Sequence, residues 1–117
     1  MIITFYKEQF SRLLNVAEMT GLYNKSTKCF VDNFRIVTVD SAQGSEADTV
    51  ILSCVRCNFS QSVGFIKSPN RLCVAISRAR ERLVILGSSS TMKVVHVLHD
   101  IYRDAKRKGN LIESITI

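Results

Sequence analysis

No stretch of this chain cradles a triphosphate by itself. The Gly-x-x-x-x-Gly-Lys-Ser/Thr pattern, whose backbone N–H groups wrap phosphates, is absent, and nothing resembles it. Long apolar runs are absent too, which excludes a membrane-spanning helix. The opening Met-Ile-Ile-Thr-Phe-Tyr-Lys lacks the layout of a secretory leader, and no sorting tag closes the chain. Proline occurs once, at Pro69. No repeat, low-complexity tract or linker divides the 117 residues, so a single domain spanning 1–117 is expected. Metal-ligand spacing is poor: Cys54 and Cys57 form a C-x-x-C, but His96 and His99 lie far downstream inside an expected helix. Four ordinary reduced thiols, in a cytoplasmic or nuclear protein, are expected, with no metal.

What is present is an alternation of strand and helix patterns. Ile2 to Phe5 is a short apolar run of strand type. Phe10, Leu13, Leu14 and Ala17 recur at helical spacing, which predicts a helix from Lys7 to about Met19, stopped by Gly21. Gly21 to Asn33 is mixed and polar. Strands are expected at Phe34–Val39, Thr49–Ser53 and Leu83–Leu86. Ser68 and Pro69 open a helix striped by Leu72, Ala75, Ile76 and Ala79, with two arginines at its far end. A last helix runs to about Lys108 and ends at Gly109, and Leu111–Ile117 is a final edge strand or a tail. Such alternation predicts an α/β fold, a parallel sheet with helices on both faces. Ligands of such sheets sit beyond the carboxyl ends of the strands, and both informative loops are expected there.

The chain carries a formal net charge of +6, which suits polyanionic partners and equally suits a merely solvated surface. Two runs hold the chemistry. In the first, Thr38 to Ser53, Gly44 lets backbone approach a ligand closely, Gln43 donates and accepts, and Glu46 suits a ribose hydroxyl. A plain turn between strands accounts for these residues as well. In the second, Asn70 to Arg80, Arg71 and Arg78 share a face if the helix is continuous. A guanidinium matches phosphate geometry with paired donors. The bland counterpart is an arginine-rich helix end pairing with Glu81 and the last carbonyls. Thr38 and Ser41 offer hydroxyls of the kind that contact a nucleic-acid backbone. Asp40 and Asp48 lack the companions of a magnesium site, so the chain could complete a nucleotide site but not constitute one.

Three blocks together resemble the second RecA-like domain of superfamily 1 helicases, on the branch of the up-frameshift RNA helicases. Ile3-Thr4-Phe5-Tyr6-Lys7-Glu8-Gln9 is similar to an Ile-Thr-Pro-Tyr-x-x-Gln block, with Phe5 replacing proline. Thr38–Ser53 is similar to motif V, and Asn70–Arg80 to motif VI, with Cys73, Ile76 and Ser77 replacing asparagine, leucine and threonine. The resemblance implies a three-layer, P-loop-type RecA-like fold without its own Walker A loop. It implies that Arg78 reaches a γ-phosphate across a cleft, that Gln43, Gly44, Glu46 and Arg80 line the nucleotide, and that Thr38 and Ser41 face nucleic acid. An upstream arginine contributed by this domain in the family is missing. The implied ligand is ATP with Mg2+, held mainly by an N-terminal RecA-like domain, and the implied partner is single-stranded RNA or DNA, with no membrane. The implied activity is that of an ATP-dependent helicase, as part of a larger chain, with the isolated domain inactive. A non-catalytic nucleic-acid-binding module, or an inactive truncated helicase fragment, is the alternative.

Overall fold

In a computed structural model the structure describes residues 1–54, 69–87 and 96–112. Four parallel strands make the sheet: β1 (Ile2–Thr4), β4 (Ile36–Thr38), β5 (Ala47–Ser53) and β6 (Ala79–Leu86), in the order β4-β1-β5-β6. Helix α1 (Lys7–Met19) follows β1. A small hairpin, β2 (Tyr23–Asn24) and β3 (Cys29–Phe30), precedes β4. A 3₁₀ turn, Asp40–Ala42, links β4 to β5. Helix α2 (Pro69–Ile76) leads into β6, and α3 (His96–Arg107) comes last.

The step from β1 to β4 moves one way across the sheet, whereas β4 to β5 and β5 to β6 move the other way. Right-handed crossovers therefore place α1 on one face and the 3₁₀ turn with α2 on the other. The packing agrees. Ile3, Val50, Leu52 and Cys54 form one buried cluster with Val39 and Ala42 of the turn region, Leu72 and Ala75 of α2, and Leu98 of α3. Residues of opposite parity, Thr4 on β1 and Ser53 on β5, meet Gln9 of α1. Burial of a side chain such as Leu52 or Leu98, each fully enclosed, contributes about 1.5–3 kcal/mol. Phe5, where the family resemblance has proline, is 95% enclosed in that core at 5% exposure, so the substitution serves packing.

Helix α1 has the expected bounds. It ends at Thr20, whose N–H reaches the Val16 carbonyl, and Gly21 follows at φ +82. The hairpin within Gly21–Asn33 is an element the sequence pattern does not announce. Its aromatic side chains hold it together: Tyr23 and Phe30 lie 4.7 Å apart, and Phe30 meets Phe34 edge-on at 5.8 Å. Asn24 Oδ1 accepts the N–H groups of Ser26 and Thr27, fixing the tip.

The second helix is shorter than expected. It stops at Ile76, Arg78 lies in a turn, and Ala79 and Arg80 already belong to β6. Ser77 Oγ donates to the Val74 carbonyl, 2.9 Å away. That bond competes with helix propagation and closes the helix. Arg71 and Arg78 are thus not on one continuous helical face. At the chain's end, Leu111 and Ile112 are in no strand, and residues 113–117 lie outside the described residues, as do 55–68 and 88–95. No helix of the described residues is long and apolar enough to cross a membrane.

Candidate nucleotide and nucleic-acid edges

The candidate residues of the two runs fall at both ends of the sheet. Thr38, Thr4, Ser53 and Leu86 pair across the four strands and mark the carboxyl edge. Ala47 and Ala79 open β5 and β6 and mark the amino edge. Six residues of strand separate the two levels, about 20 Å. Thr38 and Ser41 therefore stand at the carboxyl edge, but Gln43, Gly44, Glu46 and Arg78 stand at the amino edge. The expectation that both loops lie beyond the carboxyl ends is corrected. In an all-parallel sheet every crossover returns to the amino edge before the next strand, and these residues immediately precede β5 and β6.

At the amino edge Arg78 and the Gln-Gly loop meet. The Nη1 group of Arg78 donates to the Ser45 carbonyl at 3.3 Å, Nε to the Val74 carbonyl at 3.2 Å, and Nη2 to Ser77 Oγ at 3.1 Å. The Ala47 N–H donates to the Arg78 carbonyl at 3.0 Å, so backbone and side chain are both tied to the loop. Part of the bland reading is present, because Val74 lies in the last turn of α2. A guanidinium has five N–H donors, and among the described residues three of those of Arg78 are engaged. Gly44 has φ +83 with nothing within 4 Å of where a Cβ would stand, so its backbone is open to close approach. Gln43 and Glu46 are exposed beside it. Arg80 is engaged differently. Its Nε donates to Asp48 Oδ1 at 2.9 Å.

At the carboxyl edge, Thr38 Oγ1 donates to Ser41 Oγ at 3.0 Å and also accepts the Ser41 N–H at 3.3 Å. This clasp starts the 3₁₀ turn and leaves both hydroxyl oxygens exposed. Arg71 of α2 pairs with Asp40 at 3.3 Å on the same side. Next to Thr38 lies a polar link that sequence reasoning did not single out. Thr4 Oγ1 donates to Gln9 Oε1, and Gln9 Nε2 donates to Ser53 Oγ at 2.7 Å. Thr4 is fully buried and Ser53 nearly so. The only sequence signal was the place of Gln9 in the first block of the family resemblance.

Among the described residues no group of three or more His, Cys, Asp or Glu side chains could hold a metal ion. Asp40 and Asp48 each face an arginine instead. Cys29, Cys54 and Cys73 are free thiols, and burial pushes that of Cys54 up to about 12. Cys57 and the side chain of His96 lie outside the described residues.

The parallel order, the helices on both faces and an arginine turned to a glycine loop at the amino edge define a RecA-like α/β domain of the P-loop NTPase type that lacks a phosphate loop of its own. A family model described as an AAA domain matches residues 1–90, and the chain belongs to that family. It is similar to the regulator of nonsense transcripts 1 homolog of Neurospora crassa, at 37% identity over 112 residues. It is similar also to the ATP-dependent helicase NAM7 of Saccharomyces cerevisiae, at 36%, and to the ATP-dependent helicase upf1 of Schizosaccharomyces pombe, at 33%. Each alignment covers 96% of this chain but only 10–12% of the relative, so the chain spans about a tenth of the proteins it matches. The similarity is therefore to Upf1-like helicases, in one domain of them.

Proposed function

We propose that this chain is the C-terminal motor domain of an ATP-dependent helicase. It completes, from its amino edge, an ATP site whose phosphate loop lies on another RecA-like domain, and it grips single-stranded RNA or DNA at its carboxyl edge. The observation that carries the reading is Arg78, half-exposed and held by Ser45, Val74 and Ser77 against the Gly44 loop, with more N–H donors than these three bonds use. Such a preset guanidinium stabilises charge on a transferring phosphoryl group without reorganising at the moment of reaction. Gly44 admits the phosphates, and Glu46 and Gln43 take the ribose and neighbouring oxygens. Thr38 and Ser41, about 20 Å away, hydrogen-bond the nucleic-acid phosphates. Mg2+ would neutralise the phosphates from the partner domain's side, since Asp40 and Asp48 are occupied by arginines here.

The test is a chimera in which these residues replace the matched 112 residues of NAM7. Nucleic-acid-stimulated ATP turnover is compared with that of Arg78→Ala. Loss of an arginine acting in trans lowers turnover by about 10³-fold or more, while RNA binding without nucleotide stays within a few-fold. Near-normal turnover in Arg78→Ala rejects the role. A parent chimera without turnover that still binds RNA through Thr38 would instead describe a non-catalytic binding module.

A further inference from the structure

The amino ends of β5 and β6 are out of step by one residue. Ala47 pairs with Ala79, yet Thr49 pairs with Arg82, so Asp48 alone stands opposite both Arg80 and Glu81. This is a bulge in a parallel pair, where bulges are rare. It lies directly beside Arg78. Continuing the regular register of Thr49–Arg82 toward the amino edge would set Asp48 opposite Glu81 and Ala47 opposite Arg80. Two carboxylates facing each other across strands are unfavourable. The bulged register instead brings Asp48 Oδ1 to 2.9 Å from Arg80 Nε. The two registers differ by one residue, which moves Arg78 by about 3.3 Å relative to Ser45.

We infer that the charges at 48, 80 and 81 select the bulged register and thereby set Arg78 against the Gln43–Ser45 loop. Arg80 is a positioning residue in this scheme, acting through Asp48, and not a ligand of the nucleotide. The inference rests on the proposed role of Arg78 for its functional consequence, but the register itself does not. Two ties fix the loop's exit to β6, Ala47 N–H to the Arg78 carbonyl at the amino side of the bulge and Asp48 to Arg80 within it. The ion pair is exposed, at 56% and 65% for its two side chains, so it contributes little to stability. Its removal therefore leaves a folded protein, and the register turns on the combined difference between Asp48–Arg80 attraction in one register and Asp48–Glu81 repulsion in the other. A slip of that size at a phosphate-reaching group costs about 100-fold or more in turnover.

The test reverses the charges in two steps. In Asp48→Lys the lysine repels Arg80 and attracts Glu81, which favours the regular register. In the triple variant Asp48→Lys/Arg80→Glu/Glu81→Lys every charge is inverted, and the bulged register is again preferred. Register is measured on the full 117-residue chain from interstrand NOEs. Ala47 near Ala79 is expected for the parent and the triple variant, and Ala47 near Arg80 for Asp48→Lys. An Asp48→Lys chain that keeps Ala47 beside Ala79 overturns the inference. In the NAM7 chimera, Asp48→Lys should lower kcat by about 100-fold or more with KM for ATP little changed, and the triple variant should recover most of it. A triple variant that has the bulged register and stays inactive makes Arg80 a direct ligand and overturns its positioning role. Failure of Arg78→Ala to lower turnover rejects the functional reading alone and leaves the register result standing.

Discussion

Gln9 offers the sharpest check on the carboxyl edge. Its amide joins α1 to the ends of two strands, accepting from Thr4 Oγ1 and donating to Ser53 Oγ. Gln9→Met keeps the length of the side chain and removes both bonds. Thr4 Oγ1 still accepts the Tyr6 N–H at 3.4 Å, but its own proton has lost its acceptor, and Ser53 Oγ has lost a donor, in sites 0% and 5% exposed. An orphaned buried hydroxyl costs about 1–3 kcal/mol, so the pair should cost about 2–6 kcal/mol, less whatever relief a rotated hydroxyl finds. Removing the partners as well, in Thr4→Val/Gln9→Met/Ser53→Ala, exchanges orphaned polar groups for apolar contacts and should restore most of the loss. Urea unfolding followed by far-UV circular dichroism reads this as a fall and recovery of the midpoint at constant slope. A Gln9→Met chain within about 0.5 kcal/mol of the parent, on the ±0.5 scale of plain surface substitutions, would show the link to be unimportant. A triple variant weaker than the single one would refute the reasoning from buried, unsatisfied hydroxyls.

Two further outcomes follow from single residues. The Cys54 thiol is raised from 9.0 to about 12 by burial, so the folded chain keeps its proton where the unfolded chain releases it. Stability should therefore fall as pH rises from about 9 towards 12, by up to about 4 kcal/mol, and Cys54→Ala should flatten that alkaline slope in pH-dependent urea unfolding. An unchanged slope would contradict a buried neutral thiol. Gly44→Ala meets no atom within 4 Å but must hold φ +83, so thermal unfolding should show a loss of about 1–2 kcal/mol from backbone strain alone, and none at all would place the loop in another conformation.

The sequence made the core legible where apolar period and strand length were unambiguous. Lys7–Met19 was legible because Phe10, Leu13, Leu14 and Ala17 fit one helical face and Gly21 breaks it. Helix α2 was harder to bound. Leu72, Ala75, Ile76 and Ala79 continue a helical spacing into β6, and nothing apolar marks the start of that strand, because Arg80, Glu81 and Arg82 are exposed on the sheet's outer strand. The hairpin was hidden by size. Its strands are two residues each, its tip Lys25-Ser26-Thr27-Lys28 contains no glycine, and Lys28 takes φ +56 itself. Gln9 was legible only as part of a block, since a half-buried glutamine on a helix carries no periodic signal. The placement of Thr38 and Ser41 on one edge, and of the Gly44 loop with Arg78 on the other, followed from connectivity alone. A residue that precedes a strand in an all-parallel sheet belongs to the amino edge, whatever its chemistry.

That geometry bears on how the proposed motor would couple its two ligands. One segment of eight residues, 39–46, runs from the Thr38 clasp at the carboxyl edge to the Gly44 loop at the amino edge. It is not a slack connection. Val39 and Ala42 are buried in the main cluster, the Ala42 N–H reaches the Val39 carbonyl, and the Ser45 N–H reaches the Ala42 carbonyl. A close-packed segment of this kind has few intermediate positions and transmits a displacement from one end to the other. Movement of Ser45 with Arg78 on nucleotide loss would therefore be felt at Ser41 through Ala42, without any rearrangement of the strands. Ala42→Gly tests the link. It leaves both ligand-facing ends in place, opens a methyl-sized gap in the core at a fully enclosed position, and loosens the turn. In the NAM7 chimera, stimulation of ATP turnover by RNA should fall while basal turnover is kept. Equal losses of basal and stimulated turnover would mean that the segment only supports the fold, and that the two edges communicate by another route.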